Sequence, residues 1–151
     1  MVDNTEKVRI RRAGAEDLNS ILKIERQSFP TPWDGGMYMV EFMRKDSEFL
    51  VAEKDGKAVG YVCAWKIADE GHVLKIAVGM AERNRGIGKA LMDTVNEILK
   101  QRGAHEMLLE VRDGNEAGLK FYRALGFEKI GIRKKYYSDT GEDAILMIKD
   151  I

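Results

Sequence analysis

Apolar and polar positions change their period several times along the chain, and each change marks an element. Val8-Arg9-Ile10-Arg11 alternates strictly and predicts a first strand. From Ala15 to Ser28 the apolar residues Leu18, Ile21 and Leu22 recur at helical spacing, with Phe29 just beyond. Pro30 and Pro32 stop that helix, since a proline lacks an N–H and pushes the preceding residue out of the helical region. A short helix follows from about Gly36 to Arg44. Glu48 to Ala52 and Ala58 to Ile67 read as strands. The Asp-Gly pair of Lys54-Asp55-Gly56-Lys57 suits the tight turn of a hairpin between them. His72 to Val78 predicts another strand. A helix from Ile87 to Arg102 carries Ile87, Leu91, Val95 and Ile98 in its buried stripe, and Gly103 caps it. Glu106 to Val111 reads as a buried strand, and Asn115 to Leu125 as a helix closed by Gly126. Lys129 to Tyr137 and Asp143 to Ile148 form a closing pair of strands around Ser138-Asp139-Thr140-Gly141. These elements predict a mixed α/β (α+β) architecture: a mostly antiparallel central sheet of six to seven strands with helices on both faces.

Composition narrows the class. A chain of 151 residues, 44% of them apolar, is the size of a single domain with its own core, spanning 1–151. Lys+Arg and Asp+Glu number 25 each, and the resulting zero net charge argues against nucleic acid as a partner. The single Cys63 lies in an apolar stretch, so a disulfide within the chain is excluded, no metal site is expected, and a buried thiol is. Met1-Val2-Asp3-Asn4 does not open an apolar leader, and no run approaches the roughly 18 apolar residues of a membrane span. The expectation is a soluble, cytoplasmic protein without a membrane partner. Its oligomeric state is not legible here.

The chemistry begins between the strand ending at Val78 and the helix starting at Ile87. Arg83-Asn84-Arg85-Gly86-Ile87-Gly88 places two glycines and two arginines at a helix N-terminus. There the backbone has unpaired N–H groups and roughly +0.5 of an elementary charge. Glycines let a ligand approach, and consecutive amides form an anion nest suited to a diphosphate. Two common phosphate loops fail. A Walker A loop needs Ser or Thr after Gly88-Lys89, where Ala90 stands, and a glycine where Arg83 stands. A dinucleotide fingerprint needs its third glycine where Leu91 stands. What remains is [QR]-x-x-G-x-[GA], as Arg83-x-x-Gly86-x-Gly88. It resembles the coenzyme A pyrophosphate loop of the GCN5-related N-acetyltransferase (GNAT) superfamily. Taken alone, the loop equally suits a glycine-rich turn with two solvated arginines.

A second motif adds weight: Leu109-Glu110-Val111-Arg112, then Asn115, Phe121-Tyr122 and Leu125-Gly126-Phe127. It is similar to the second half of the GNAT fold. The resemblance implies that Arg83, Asn84, Arg85, Gly86, Ile87, Gly88, Lys89 and Ala90 hold the pyrophosphate of acetyl-CoA. It further implies that Asn115 reaches the pantetheine arm and that Tyr122 lies near the thioester sulfur. The central strand at Ile76, Ala77 and Val78 would have a neighbour that splays away, freeing backbone groups to pair with pantetheine and stabilise an oxyanion. Gly118 stands where an alanine is usual. Ser28-Phe29-Pro30-Thr31-Pro32-Trp33 resembles the substrate loop of N-terminal protein acetyltransferases of the RimI type. Gly71-His72-Val73 resembles archaeal and eukaryotic-like members. Arg133-Lys134-Lys135-Tyr136-Tyr137 with Glu142-Asp143-Ala144 resembles the hairpin that holds a peptide N-terminus. The likeness runs from about Val8 to Met147. Some archaeal relatives carry a Glu where Thr31 stands, so a base at that point is absent.

The implied reaction moves the acetyl group of acetyl-CoA to the N-terminal α-amine of a protein or peptide, ribosomal proteins included. An α-amine has a pKa near 7.7–8.0 against about 10.4 for lysine, so at pH 7 roughly a tenth of α-amines but about one lysine in 2,500 is neutral. A modest base therefore suffices. Glu110 interrupts an apolar strand and is the candidate; burial would raise its carboxyl towards the amine it serves. The other reading of Glu110 is a solvent-facing residue or a partner of Arg112. Tyr122 is the candidate acid: protonating a thiolate like that of Cys costs about 2 kcal/mol from unperturbed values. Its other reading is an aromatic on a buried helix face. His72, with an ordinary pKa near 6.5, is the rival base or else a structural strand-start residue. Phe29, Pro30 and Trp33 are expected to line the first-residue pocket. Tyr136 and Tyr137 would bond the peptide backbone, one of them only, because neighbours on a strand face opposite ways. Acetylation of an internal lysine or a small amine, and a non-catalytic coenzyme A sensor, remain as alternatives.

Overall fold

The computed structural model describes residues 7–151; the opening Met1-Val2-Asp3-Asn4 lies outside them. Seven strands and four helices follow the predicted order: β1 Arg9–Arg12, α1 Leu18–Ser28, α2 Gly35–Met43, β2 Ser47–Lys54, β3 Lys57–Ile67, β4 Glu70–Val78, α3 Ile87–Gln101, β5 Glu106–Arg112, α4 Glu116–Ala124, β6 Glu128–Arg133 and β7 Ala144–Asp150. They form one sheet in the order β1-β2-β3-β4-β5-β7-β6. Its neighbours are antiparallel apart from β4 and β5, which run parallel.

Alternation along the strands feeds two cores. Leu50, Val62, Val73, Met107, Leu109, Val111 and Met147 pack against Leu91, Val95 and Leu99 of α3. On the other face Phe49, Val51, Tyr61, Cys63 and Ala77 pack against Ile21 and Ile24 of α1 and Tyr38 of α2. Burial pushes the Cys63 thiol up to about 12, so it is an inert core residue at neutral pH.

Two expectations change. The first turn of the predicted 15–28 helix is a 3-10 turn, Ala15–Asp17, because the Asp17 carboxylate folds back onto the Gly14 N–H at 2.9 Å and grips Arg11. The predicted strand through Tyr137 stops at Arg133, and β7 starts at Ala144 rather than Asp143. Lys135 adopts a positive φ of 50°, and its N–H donates to Asp143 at 2.8 Å, which ends the ladder in a turn. Tyr136 and Tyr137 therefore lie outside any strand.

What opens the site is a β-bulge. Cys63 faces Lys75 and Ala64 faces Val73, so Leu74 is the extra residue on β4. Such a bulge bends its strand. Pairing with β5 ends at Val73↔Leu109, although β4 continues to Val78 and β5 to Arg112. β5 instead follows β7 through Arg112. The splay expected from the resemblance is present, and it leaves a V between the two strands.

Candidate active site

The V holds a cleft of about 340 Å³, walled by Val73 to Ile76 of β4 and Leu109 to Arg112 of β5. Asn115 and Tyr122 close one side, and Ser28 to Thr31, Tyr137 and Glu142 the other. Of the three β4 residues predicted to meet the donor, Ile76 lines this cleft. The Ala77 side chain is buried in the α1–α2 core, and the Val78 carbonyl accepts one bond, from Arg83 Nε at 2.9 Å.

At the mouth of α3, Asn84 and Gly86 take φ values of 63° and 82° and turn the chain into the helix. The first helical bond runs from the Ala90 N–H to the Gly86 carbonyl at 3.0 Å. The amides of Ile87, Gly88 and Lys89 precede it and form the orphan donors of the helix start. Ala90, predicted with them, instead gives its amide to the helix. Arg83 is exposed and, besides Val78, donates to Ser28 Oγ at 3.2 Å, tying this loop to the end of α1 and keeping further N–H donors. Arg85 is half-exposed and 3.5 Å from Glu82, while Lys89 is held by Asp93 at 2.6 Å. Gly86→Val puts a β-branched residue in the left-handed region, at a cost of about 1–2 kcal/mol. Steady-state kinetics should show the KM for acetyl-CoA rising about tenfold, with the KM for the acceptor unchanged.

Across the V, Met107, Leu109 and Val111 face the α3 core, so Glu110 points to the opposite face and into the cleft. Its Oε2 is buried and has no hydrogen-bond partner among the described residues. Arg112, the alternative partner, is held at 2.9 and 2.8 Å by Asp139 instead. A buried carboxylate oxygen left without a donor is unfavourable, and folding alone does not explain it. Tyr122 stands on α4 with its phenol held above the ordinary value by burial and then by Tyr137. Its proton is thus less readily given than the unperturbed figure implies, although the same desolvation would raise the basicity of a thiolate in this cleft. Asn115 caps α4, its Oδ1 accepting from the Gly118 N–H at 2.9 Å. A Cβ on residue 118 would lie 2.5 Å from Asn115 Nδ2, so an alanine there would require the Asn115 amide to shift. His72 sits at the outer end of β4, outside the cleft walls, with Nε2 3.1 Å from Glu70.

Anion-ready amides, a half-open parallel strand pair and a capping Asn beside a cleft Tyr occur here together. Residues 18–127 match the Acetyltransferase (GNAT) family. This chain belongs to the GNAT family. An N-alpha-acetyltransferase of Sulfurisphaera tokodaii is 34% identical over 94% of this chain and 92% of its own length. The ribosomal-protein-S18-alanine N-acetyltransferase of Escherichia coli superimposes with a TM-score of 0.86 at 29% identity, covering 95% of this chain and 94% of that one. Ard1 of Thermoplasma volcanium gives 0.89 at 26% identity, covering 96% and 98%. The acetyl donor of this GNAT enzyme is acetyl-CoA. The residues fit it: three free amides for the pyrophosphate, the Asn115 Nδ2 as a donor to the arm, and the unpaired edge of β4 at Ile76 beside Tyr122.

Phe29 and Pro30 line the cleft. Trp33 does not reach it: its ring packs 5.1 Å from that of Tyr38, in the α1–α2 core. Both tyrosines after β6 approach Glu110, whose carboxylate, after burial, raises the Tyr136 phenol and helps push that of Tyr137 up to about 12. The turn at Lys135 makes this possible; a strand would have separated them. Tyr137 lines the cleft under the Arg112 guanidinium, 4.0 Å above its ring, and Tyr136 stands edge-on to it, half-exposed.

Three features escaped the sequence reading. Thr31 Oγ1 donates to Asp139, so the loop after α1 is latched to the β6–β7 loop across the cleft. Glu25 is fully buried. It falls four residues after Ile21, in the apolar stripe of α1, and that placement was the available signal. Lys75 interrupts the apolar run of β4 as Glu110 interrupts β5, the same signal on a second strand.

Proposed function

We propose that this GNAT enzyme acetylates the free N-terminal α-amine of proteins or peptides, with Glu110 as general base and Tyr122 as general acid. The observation that carries the reading is the buried, unpartnered Glu110 Oε2 at the acceptor end of the cleft, between the Phe29-Pro30 wall and the two tyrosines. An N-terminal amine needs little help to lose its proton, and a single carboxylate meets that need. The names of the relatives, N-alpha-acetyltransferase and ribosomal-protein-S18-alanine N-acetyltransferase, agree with it.

Bound acetyl-CoA supplies the activated carbonyl. The backbone of Ile76 stabilises the charge that develops on its oxygen. Glu110 removes the proton from the attacking amine, and Tyr122 returns one to the departing sulfur. Phe29, Pro30, Tyr136 and Tyr137 hold the peptide end. Peptides with free and with blocked N-termini test the assignment: acetylation of the free form alone supports it, and equal turnover of a blocked, lysine-containing peptide overturns it. Tyr122→Phe removes one oxygen from the wall. It is expected to lower kcat by about 10²-fold while isothermal titration shows acetyl-CoA binding unchanged. Wild-type kcat in this variant would remove Tyr122 from the mechanism.

A further inference from the structure

A buried ion pair stands behind the acceptor wall, and acetyl transfer as described makes no use of it. Glu25 has no exposed surface, and both its oxygens are occupied. Tyr38 and Tyr61 donate to Oε1, while the Trp33 N–H at 2.8 Å and Lys75 Nζ at 3.0 Å donate to Oε2. Nothing in the cleft can reach this carboxylate. Lys75 stands in front of it. Because the bulge at Leu74 shifts the alternation of β4 by one place, Lys75 pairs with Cys63 of the α1–α2 core and faces the same side of the sheet as Glu110. Its side chain is 12% exposed, and that remainder belongs to the cleft wall. An ammonium has three donors. One goes to Glu25, and the Phe29 ring, 3.8 Å away, fixes the head by a cation–π contact. Donor capacity remains on the wall where the first side chain of a peptide would lie, next to Phe29.

We propose that Lys75 is a specificity-determining residue, selecting N-termini whose first side chain ends in an oxygen acceptor, above all the carboxylate of Asp or Glu. The inference rests on the N-terminal reading given above. In the open cleft, water can serve the spare donors. A peptide that closes the cleft removes that water, so an apolar first residue leaves the ammonium unsatisfied, a carboxylate makes a charge-assisted bond, and a lysine is repelled. Glu25 neutralises the ammonium from behind without competing for the cleft side.

The test uses the wild-type protein, acetyl-CoA and peptides identical from the second residue onward, starting with Glu, Asp, Leu or Lys. The wild type should acetylate the Glu and Asp peptides with kcat/KM at least about tenfold above the Leu peptide, and the Lys peptide more slowly still. In the double variant Lys75→Met with Glu25→Gln, which buries no unpaired charge, the Glu-to-Leu ratio should fall to about one or invert; Lys75→Arg should keep it. The ratio is taken within one preparation, so a lowered folded fraction cancels and a merely structural role would leave it unmoved. Faster acetylation of the Leu peptide by the wild type, or a ratio that survives in the double variant, overturns the assignment of Lys75 alone. Failure of every free-N-terminus peptide overturns the N-terminal reading as well.

Discussion

Glu110→Gln is expected to lower kcat and kcat/KM together by about 10²-fold or more, with acetyl-CoA binding unchanged by calorimetry. The substitution keeps the shape of the side chain and removes its ability to take a proton. The lower part of the usual range for general-base loss applies, because roughly a tenth of α-amines are already neutral at pH 7 and the base is needed for the proton that becomes acidic as the amine attacks. The variant should also be no less stable than the wild type in chemical denaturation. The wild-type Oε2 is buried without a donor, and an amide removes the charge from that position. Loss of activity with stability kept or gained is the signature of a group retained for chemistry. His72→Ala should stay within about threefold of wild type, since its ring pairs with Glu70 outside the cleft walls. The reverse pattern, with Glu110→Gln active and His72→Ala dead, would transfer the role of base to His72.

Glu25→Ala is expected to produce a large loss of stability, about 3–5 kcal/mol, the range for breaking one side of a buried ion pair. The change strands the Lys75 ammonium, the Tyr38 and Tyr61 hydroxyls and the Trp33 N–H at once. For a chain of this size, 1 kcal/mol is worth about 2–4 °C, so Tm should fall by roughly 6–20 °C. Glu25→Gln with Lys75→Met removes both charges and should lose much less, because no charge is left uncompensated. If the single and double variants melt together, the network contributes packing and not electrostatics, and Glu25 is an ordinary core position.

Local features were legible residue by residue. The stripe Ile87, Leu91, Val95 of α3 lies buried in the core as expected, since burial of one face imposes a period that needs no tertiary knowledge. The turn into α3 was legible for a similar reason: glycines at a helix start have few conformational explanations. Donors within the same loop were less so. Position did not show that Arg83 ties the loop to Val78 and Ser28, or that the Ala90 amide begins the helical ladder. Chain position does not reveal which partner a donor finds.

By itself the sequence determined the order and kind of the elements, the glycine-rich helix start and the family, because these depend on short-range periodicity and on motifs contiguous in the chain. Tertiary structure alone decided which way the chemistry faces. One inserted residue, Leu74, shifts the parity of β4, opens it from β5 and turns Lys75 towards Glu25, fifty positions away. A positive φ at Lys135 brings both tyrosines to Glu110. Side-chain direction in a strand follows a period of two, so a single bulge or turn reverses every assignment beyond it, and such an irregularity is selected by packing between distant segments, not by its own residues.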